Sequence, residues 1–176
     1  MRRDFGETYD ALVADVYAFI AYRVGNRQDA EDLTQRTFER AFGSWDRFDP
    51  GQASERTWLV AIARNVVVDH YRSTTRPARR SLDEVHADAE PYANENYDLG
   101  VDPALGVALD HLNDRDREVV ALRYGGDLTT DEIADTLGLS VANVQQILSR
   151  SLRRMRRELD PSHGERPTAQ HAEAGQ

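Results

Sequence analysis

Between positions 128 and 158 the sequence reads LTTDEIADTLGLSVANVQQILSRSLRRMRRE. At 100° per residue, Gln146, Ser149, Arg150 and Arg153 fall on one side of a helix that begins near Ser140, flanked by Asn143 and Gln145. That side carries amide, hydroxyl and guanidinium groups and no carboxylate. Amides form paired hydrogen bonds with adenine edges and guanidinium groups with guanine edges, so the chemistry on offer is base readout in a DNA major groove. Arg154, Arg156 and Arg157 suit phosphates and would set affinity and its salt dependence, while Gln146 and Arg150 would set sequence preference. The opposite stripe, Val144, Leu148, Ser151 and Met155, faces inward; Ile147 either widens it or meets a thymine methyl. The bland alternative is a helical hairpin with a solvated basic face.

The residues just upstream are those needed to hold such a helix. Thr129 can cap a short helix, with Glu132 at the reciprocal position of a capping box. Ile133, Ala134 and Leu137 give it an inward face, Gly138 permits a sharp turn, Leu139 plugs the gap, and Ser140 caps the reading helix. Short helix, glycine turn and capped second helix together predict a helix-turn-helix.

The rest of the chain is read as helical too. Phe5, Tyr9, Leu12, Val16, Phe19 and Ile20 make one stripe over 4–24, closed by Gly25. A second helix spans about 28–42, with Ala30, Leu33, Thr37, Phe38 and Ala41 inward and Asp29, Asp32, Gln35, Arg36 and Glu39 outward. Turn chemistry over 43–51 predicts a loop with two aromatic residues. A third helix covers 54–72 and is expected to end in the arginine, threonine and proline of 72–80. Residues 81–103 hold seven acids and no arginine and read as a mobile linker. Helical patterning resumes at Ala104, with Leu105, Ala108, Leu109 and Leu112 in one helix and Val119, Val120 and Leu122 in the next; 161–176 is a small, polar tail. The expected fold is all-α: two small helical domains, 1–80 and 104–160, joined by an acidic linker.

A formal net charge of −9 looks wrong for a DNA binder, but its distribution is informative. All 22 basic residues are arginine. Segment 51–80 holds six arginines against Glu55 and Asp69, and segment 140–160 holds five against Glu158 and Asp160. Two basic islands thus coincide with helices on either side of the acidic bridge. With no cysteine there is no disulfide or thiolate metal site, and the five scattered histidines include no metal-ligating i, i+4 pair. No nucleophile motif or phosphate-binding glycine loop appears, so neither an enzyme nor a cofactor or metal is expected. Nothing reads as a membrane span or signal peptide, and the expected location is cytoplasmic.

Three stretches, DAEDLTQRTFERAF, TWLVAIARNVVVDHYR, and LNDRDREVVALRY followed by LTTDEIADTLGLS, resemble in order the extracytoplasmic-function (ECF) class of bacterial sigma factors. The resemblance spans about 5–158. It implies a region 2-like domain over 1–80, a region 4-like domain over 104–160, and a factor that binds RNA polymerase core and directs promoter-specific initiation. Implied partners are the β′ coiled coil and β flap of the polymerase, promoter DNA and an anti-sigma factor. Asp29, Asp32, Gln35 and Arg36 would be polymerase contacts, although acids there also suit an ordinary solvated helix N-terminus. The loop over 45–56 would accept a flipped base of the minus-ten element, with Trp45 and Phe48 as its aromatic residues. Arg56, Arg64, Asn65, Arg72 and Arg76 would contact the minus-ten element; Trp58, Leu59, Ile62 and Ala63 fit the core better, and Asp69 would orient a neighbouring arginine. The minus-thirty-five element would be read by Asn143, Gln145, Gln146, Ser149, Arg150, Arg153 and Arg154. The acidic linker, including Asp83, Glu84, Asp88 and Glu90, would mimic a polyanion in a polymerase channel or act as a solvated spacer.

Departures from the family pattern lie in the reading helix. Gln145 and Ile147 stand where basic residues are frequent, and Asn143 where threonine is, which implies a shifted sequence preference. Rival readings are a stand-alone helix-turn-helix regulator and a sigma-like decoy for an anti-sigma factor. The basic third helix argues against the first.

Overall fold

The computed structural model describes residues 4–80 and 102–160, without the side chains of 74–80. The polar tail and nearly all of the acidic segment, including Asp83, Glu84, Asp88 and Glu90, lie outside the described residues. Among those described, regular structure is entirely helical. The N-terminal half comprises α1 (Phe5–Val24), α2 (Arg27–Ser44), a 3-10 turn (Trp45–Arg47) and α3 (Glu55–Arg80). The C-terminal half comprises α4 (Pro103–Asp110), α5 (Asp114–Val120), a π turn (Ala121–Gly125), α6 (Thr130–Leu137) and α7 (Val141–Leu159).

Local chemistry sets most of these boundaries. Asp4, Asn26, Asp102, Asn113, Thr129 and Ser140 each accept a main-chain N–H at the start of the helix that follows. Gly25 and Gly138 end α1 and α6 in the left-handed conformation, at φ 75° and 64°. Two boundaries differ from expectation. The third helix passes Arg72 and Pro77 and ends at Arg80; a proline removes one donor, which bends a helix more readily than it ends one. The acidic segment gives way to helix one residue early, because Asp102 is a cap and Pro103 fills the first helical position, where no N–H is required.

The helix carrying Val119 and Val120 also changes pitch. At Ala121 it widens into a π turn, closed by Gly126 N–H donating to the Ala121 carbonyl at 2.9 Å. This turn places Gly125 against α1: a Cβ there would lie 2.6 Å from the Phe19 nitrogen and 2.8 Å from the Ala18 carbonyl carbon. Only glycine allows so close an approach of two backbones.

That contact joins the two halves. Phe19, Ile20, Leu59 and Val60 from the first half and Leu109, Leu122, Leu128 and Ile133 from the second are fully buried members of one hydrophobic cluster. Polar ties surround it. Arg117 Nε donates to the Tyr22 carbonyl at 2.6 Å and its Nη1 to Asp110 at 2.7 Å, while Arg23 donates to the Asp114 carbonyl at 2.9 Å. The main chain at Asp127 takes φ 51°, uncommon outside glycine but tolerated by aspartate.

Candidate nucleic-acid interface

The helix-turn-helix forms as its caps require. Thr129 Oγ1 accepts the Glu132 N–H at 3.3 Å, and the Glu132 carboxylate accepts the Thr129 N–H at 2.9 Å. Ile133 and Ala134 bury against α7, Leu137 and Leu139 pack on the cluster, and Val144, Ile147, Leu148, Ser151 and Met155 form the inner stripe of α7. Ile147, at 1% exposure, belongs to the core and not to a thymine contact. Gln145, Gln146, Ser149, Arg150, Arg153 and Arg154 are exposed, and Asn143 is half-buried at the helix start. The C-terminal part of this face flanks an open basic cleft of about 710 Å³ lined by Arg150, Arg153, Arg154 and Arg157, with Asn113 and Asp116 across it. Asp116 Oδ1 stands 4.0 Å from Arg150, and Arg154 donates to the His111 carbonyl at 3.3 Å. Four guanidinium groups against one carboxylate make the cleft strongly attractive to phosphate.

The residues expected to read the minus-ten element divide into two sets. Asn65 and Arg72 are exposed on α3. Arg56 and Arg64 are instead engaged by the C-terminal half. Arg56 pairs with Asp15 of α1 at 3.1 Å and with Asp127, and Arg64 Nε donates to Glu118 of α5 at 2.7 Å. Between them Thr57 donates to Glu132 of α6 at 2.5 Å. The side chain of Arg76 lies outside those described. Asp69 holds an arginine, Arg40 of α2, at 3.0 Å.

Trp45 and Phe48 are buried and stacked on each other, with ring centroids 5.3 Å apart, and Trp58 tilts against both. They therefore form a wall and not an open stacking platform. Beside that wall a cleft of about 450 Å³ is lined by Phe48, Pro50, Ala53, Glu55 and Arg56, large enough for an unstacked base.

On α2, Asp32, Gln35 and Arg36 are exposed, while Asp29 is half-buried, bonded to the Asn26 amide at 2.7 Å and 3.5 Å from His70 Nε2. Beside these residues runs an apolar groove of about 790 Å³ between α1 and α2, lined by Phe5, Tyr9, Phe38 and Phe42, with Phe42 68% exposed. An exposed aromatic surface of this kind marks a protein-docking face more often than a solvated one.

Glu132 carries a lowered pKa. Burial pushes its carboxyl up, but hydrogen bonds from Thr57 and Thr129 and the nearby Arg56 guanidinium outweigh that and hold it below its ordinary value. Sequence reasoning missed Asp15, Glu118 and Asp127 as partners of the arginines. No local signal marks them, because they lie 41, 54 and 71 positions from the arginine each one holds.

The arrangement, two helical modules of which the second is a helix-turn-helix with an arginine-rich face, is that of a protein of the sigma type. Residues 8–77 match the family model for sigma-70 region 2 and residues 108–157 that for sigma-70 region 4. The ECF RNA polymerase sigma factor SigC of Mycobacterium tuberculosis is 35% identical over 144 residues, covering 80% of this chain and 75% of that one. BldN of Streptomyces coelicolor is 34% identical over 161 residues; the alignment covers 88% of this chain and 60% of BldN. Among solved structures, the sigma factor RpoE of Bartonella quintana, in complex with the anti-sigma factor NepR, matches with TM-score 0.71 at 23% identity, over 90% of this chain and 98% of that one. CnrH, in complex with the cytosolic domain of CnrY, matches with TM-score 0.58 at 26% identity, over 89% and 87%. The chain belongs to the ECF RNA polymerase sigma factors.

Proposed function

We propose that this protein binds RNA polymerase core and directs initiation at promoters whose minus-thirty-five element is read by α7 and whose minus-ten element is held by α3 and the preceding loop. The domain boundaries are 1–80 and 104–160, with the acidic stretch between them spanning the distance along the promoter. One observation carries the reading: the exposed, acid-free face of Gln145, Gln146, Ser149 and Arg150 on a capped helix-turn-helix, in a chain that also matches sigma region 2.

Asp32, Gln35 and Arg36, beside the Phe42 groove, form the polymerase-docking face, and Asp29 serves first as part of the helix start. Asn65 and Arg72 touch the minus-ten strand directly, with Arg76 beyond them; Arg56 and Arg64 join them once their carboxylate partners withdraw. Binding energy alone opens the duplex, so the protein acts without catalytic residues, metal or cofactor. An anti-sigma factor is the expected regulator, since the sigma factor RpoE of Bartonella quintana, which shares this fold, is held in a complex with the anti-sigma factor NepR. No described helix is long and apolar enough to cross a membrane, and the site of action is the cytoplasm. The test is run-off transcription: purified chain with bacterial core polymerase on randomised promoters should yield discrete start sites sharing two upstream elements. Failure to start RNA at any defined position overturns the reading.

A further inference from the structure

Arg27, Arg40, Arg56, Arg64 and Arg117 each hold a carboxylate at 2.7–3.1 Å. Arg153, Arg154 and Arg157 differ: among the described residues they hold only main-chain carbonyls, those of Ser149, His111 and Arg153. With Arg150 they stand at positions i, i+3, i+4 and i+7 of α7, a row about 10 Å long on one face. This row lines the basic cleft of about 710 Å³. Asp116, 4.0 Å from Arg150, is the one carboxylate in the lining, so cations outnumber it by three. Asn113, on the facing wall, accepts the Asp116 N–H through Oδ1 at 2.9 Å, which leaves its Nδ2 group to donate.

The same cleft contains an unanswered polar group. Ser151 lines it at 1% exposure, and the Ser151 Oγ has no hydrogen-bond partner among the described residues. A helical serine can return its hydroxyl to the carbonyl four residues back; here it does not. Buried hydroxyls are nearly always satisfied, so one left open beside a row of unneutralised cations points to an oxygen-rich anion.

We propose that this cleft is a binding site for a free polyphosphate anion, inorganic or borne by a nucleotide. Arg150, Arg153, Arg154 and Arg157 hold its charge, and Ser151 and Asn113 are its neutral hydrogen-bond partners. Guanidinium groups bind phosphoryl oxygens through paired donors, and a row of them matches a chain of phosphoryl groups better than a single one. The volume lies within the range of about 300–1,000 Å³ usual for small-molecule sites. A duplex backbone can meet the rim of the cleft, but only a small ligand can bring an oxygen to a hydroxyl as enclosed as that of Ser151. The regulatory consequence rests on the proposed function. Arg150 and Arg154 also serve the upstream element there, so the anion and the promoter compete for them.

The site is tested by isothermal calorimetry on the full-length chain at fixed ionic strength, with inorganic tripolyphosphate and GTP as separate probes. At least one should bind one to one. Tighter binding of GTP assigns the site to nucleotides, and tighter binding of tripolyphosphate assigns it to the inorganic anion. Ser151→Ala leaves every charge in place and should weaken binding about fivefold, and Arg157→Gln should weaken it about tenfold. Arg47→Gln removes an exposed cation from the first half and should change nothing. The proposal is overturned if neither probe saturates a single site, if Arg47→Gln weakens binding as much as Arg157→Gln, or if Ser151→Ala, folded by circular dichroism, binds like the parent. Should Ser151→Ala not fold, the comparison of Arg157→Gln with Arg47→Gln decides. Competition is read separately, on a promoter duplex mapped by run-off transcription. The tighter probe should displace parent holoenzyme from it more readily than Ser151→Ala holoenzyme, and equal displacement would overturn the competition. Discrete start sites without calorimetric binding would leave the sigma reading standing and remove only the anion site; binding without start sites would do the reverse.

Discussion

On α7 neighbouring side chains have different work. Gln146 and Arg150 are exposed on the helix face that has no acid, and Arg150 has Asp116 4.0 Å away to bias its direction. A well-made side-chain pair to a base edge is worth about 1–3 kcal/mol of discrimination. Gln146→Ala or Arg150→Ala should therefore weaken holoenzyme binding at the upstream element about tenfold or more and relax preference at one position, while polymerase association is unchanged. Anisotropy with single-base promoter variants measures both effects. Arg154→Ala should differ in kind: if it serves a phosphate, binding weakens evenly across sequences and the log–log salt slope falls by about one. The core position of Ile147 narrows the reading set to polar groups, a point that helical spacing left open because a residue at the edge of a stripe can point either way.

At the scale of the element, the start of α6 carries two duties. Glu132 completes the capping box with Thr129 and also accepts from Thr57 of α3. Thr129→Ala removes one half of the box and should cost about 1 kcal/mol of stability, read as a lower midpoint in chemical denaturation. The lowered pKa of Glu132 gives a pH dependence. Its folded value lies below its ordinary 4.5, so its contribution is fully present above 4.5 and is lost as pH falls through the folded value. Stability followed by circular dichroism should fall between pH 5 and pH 3 by less in Glu132→Gln than in the parent, about the span in which a carboxylate of this kind protonates. Both the cap and the glycine turn at 138 were legible in the order of residues, because capping and left-handed turns depend on chemistry within a few positions. The run of α3 past Pro77 was not, since whether one missing hydrogen bond ends a helix depends on the turns around it.

At the scale of the whole molecule, the π turn sets the relation of the halves. Gly125→Ala would put a methyl group 2.6 Å from the Phe19 nitrogen, where backbone and not a flexible side chain must give way. The expected outcome is a chain whose helical content is kept but whose halves separate, seen as a larger radius of gyration in small-angle scattering. An unchanged radius with full stability would show that the contact can shift without opening. The apolar groove between α1 and α2, which we propose docks polymerase, lies on the first half alone, so polymerase association should survive this change.

By itself the sequence determined the helical class, most helix starts with their caps, and the acid-free outer face of α7, which rest on periodicity, capping chemistry and charge placement that span a few residues or one helical turn; the family was legible through the resemblance of three motif stretches in order. Only the tertiary structure decided that Arg56 and Arg64 face carboxylates, that Trp45 and Phe48 close on each other, and that both halves share one core. Each of those outcomes joins residues far apart in the chain. Which of many equally charged or equally apolar candidates meet is fixed by how whole helices pack, and a backbone approach at Gly125 that leaves no room for a side chain settles that packing.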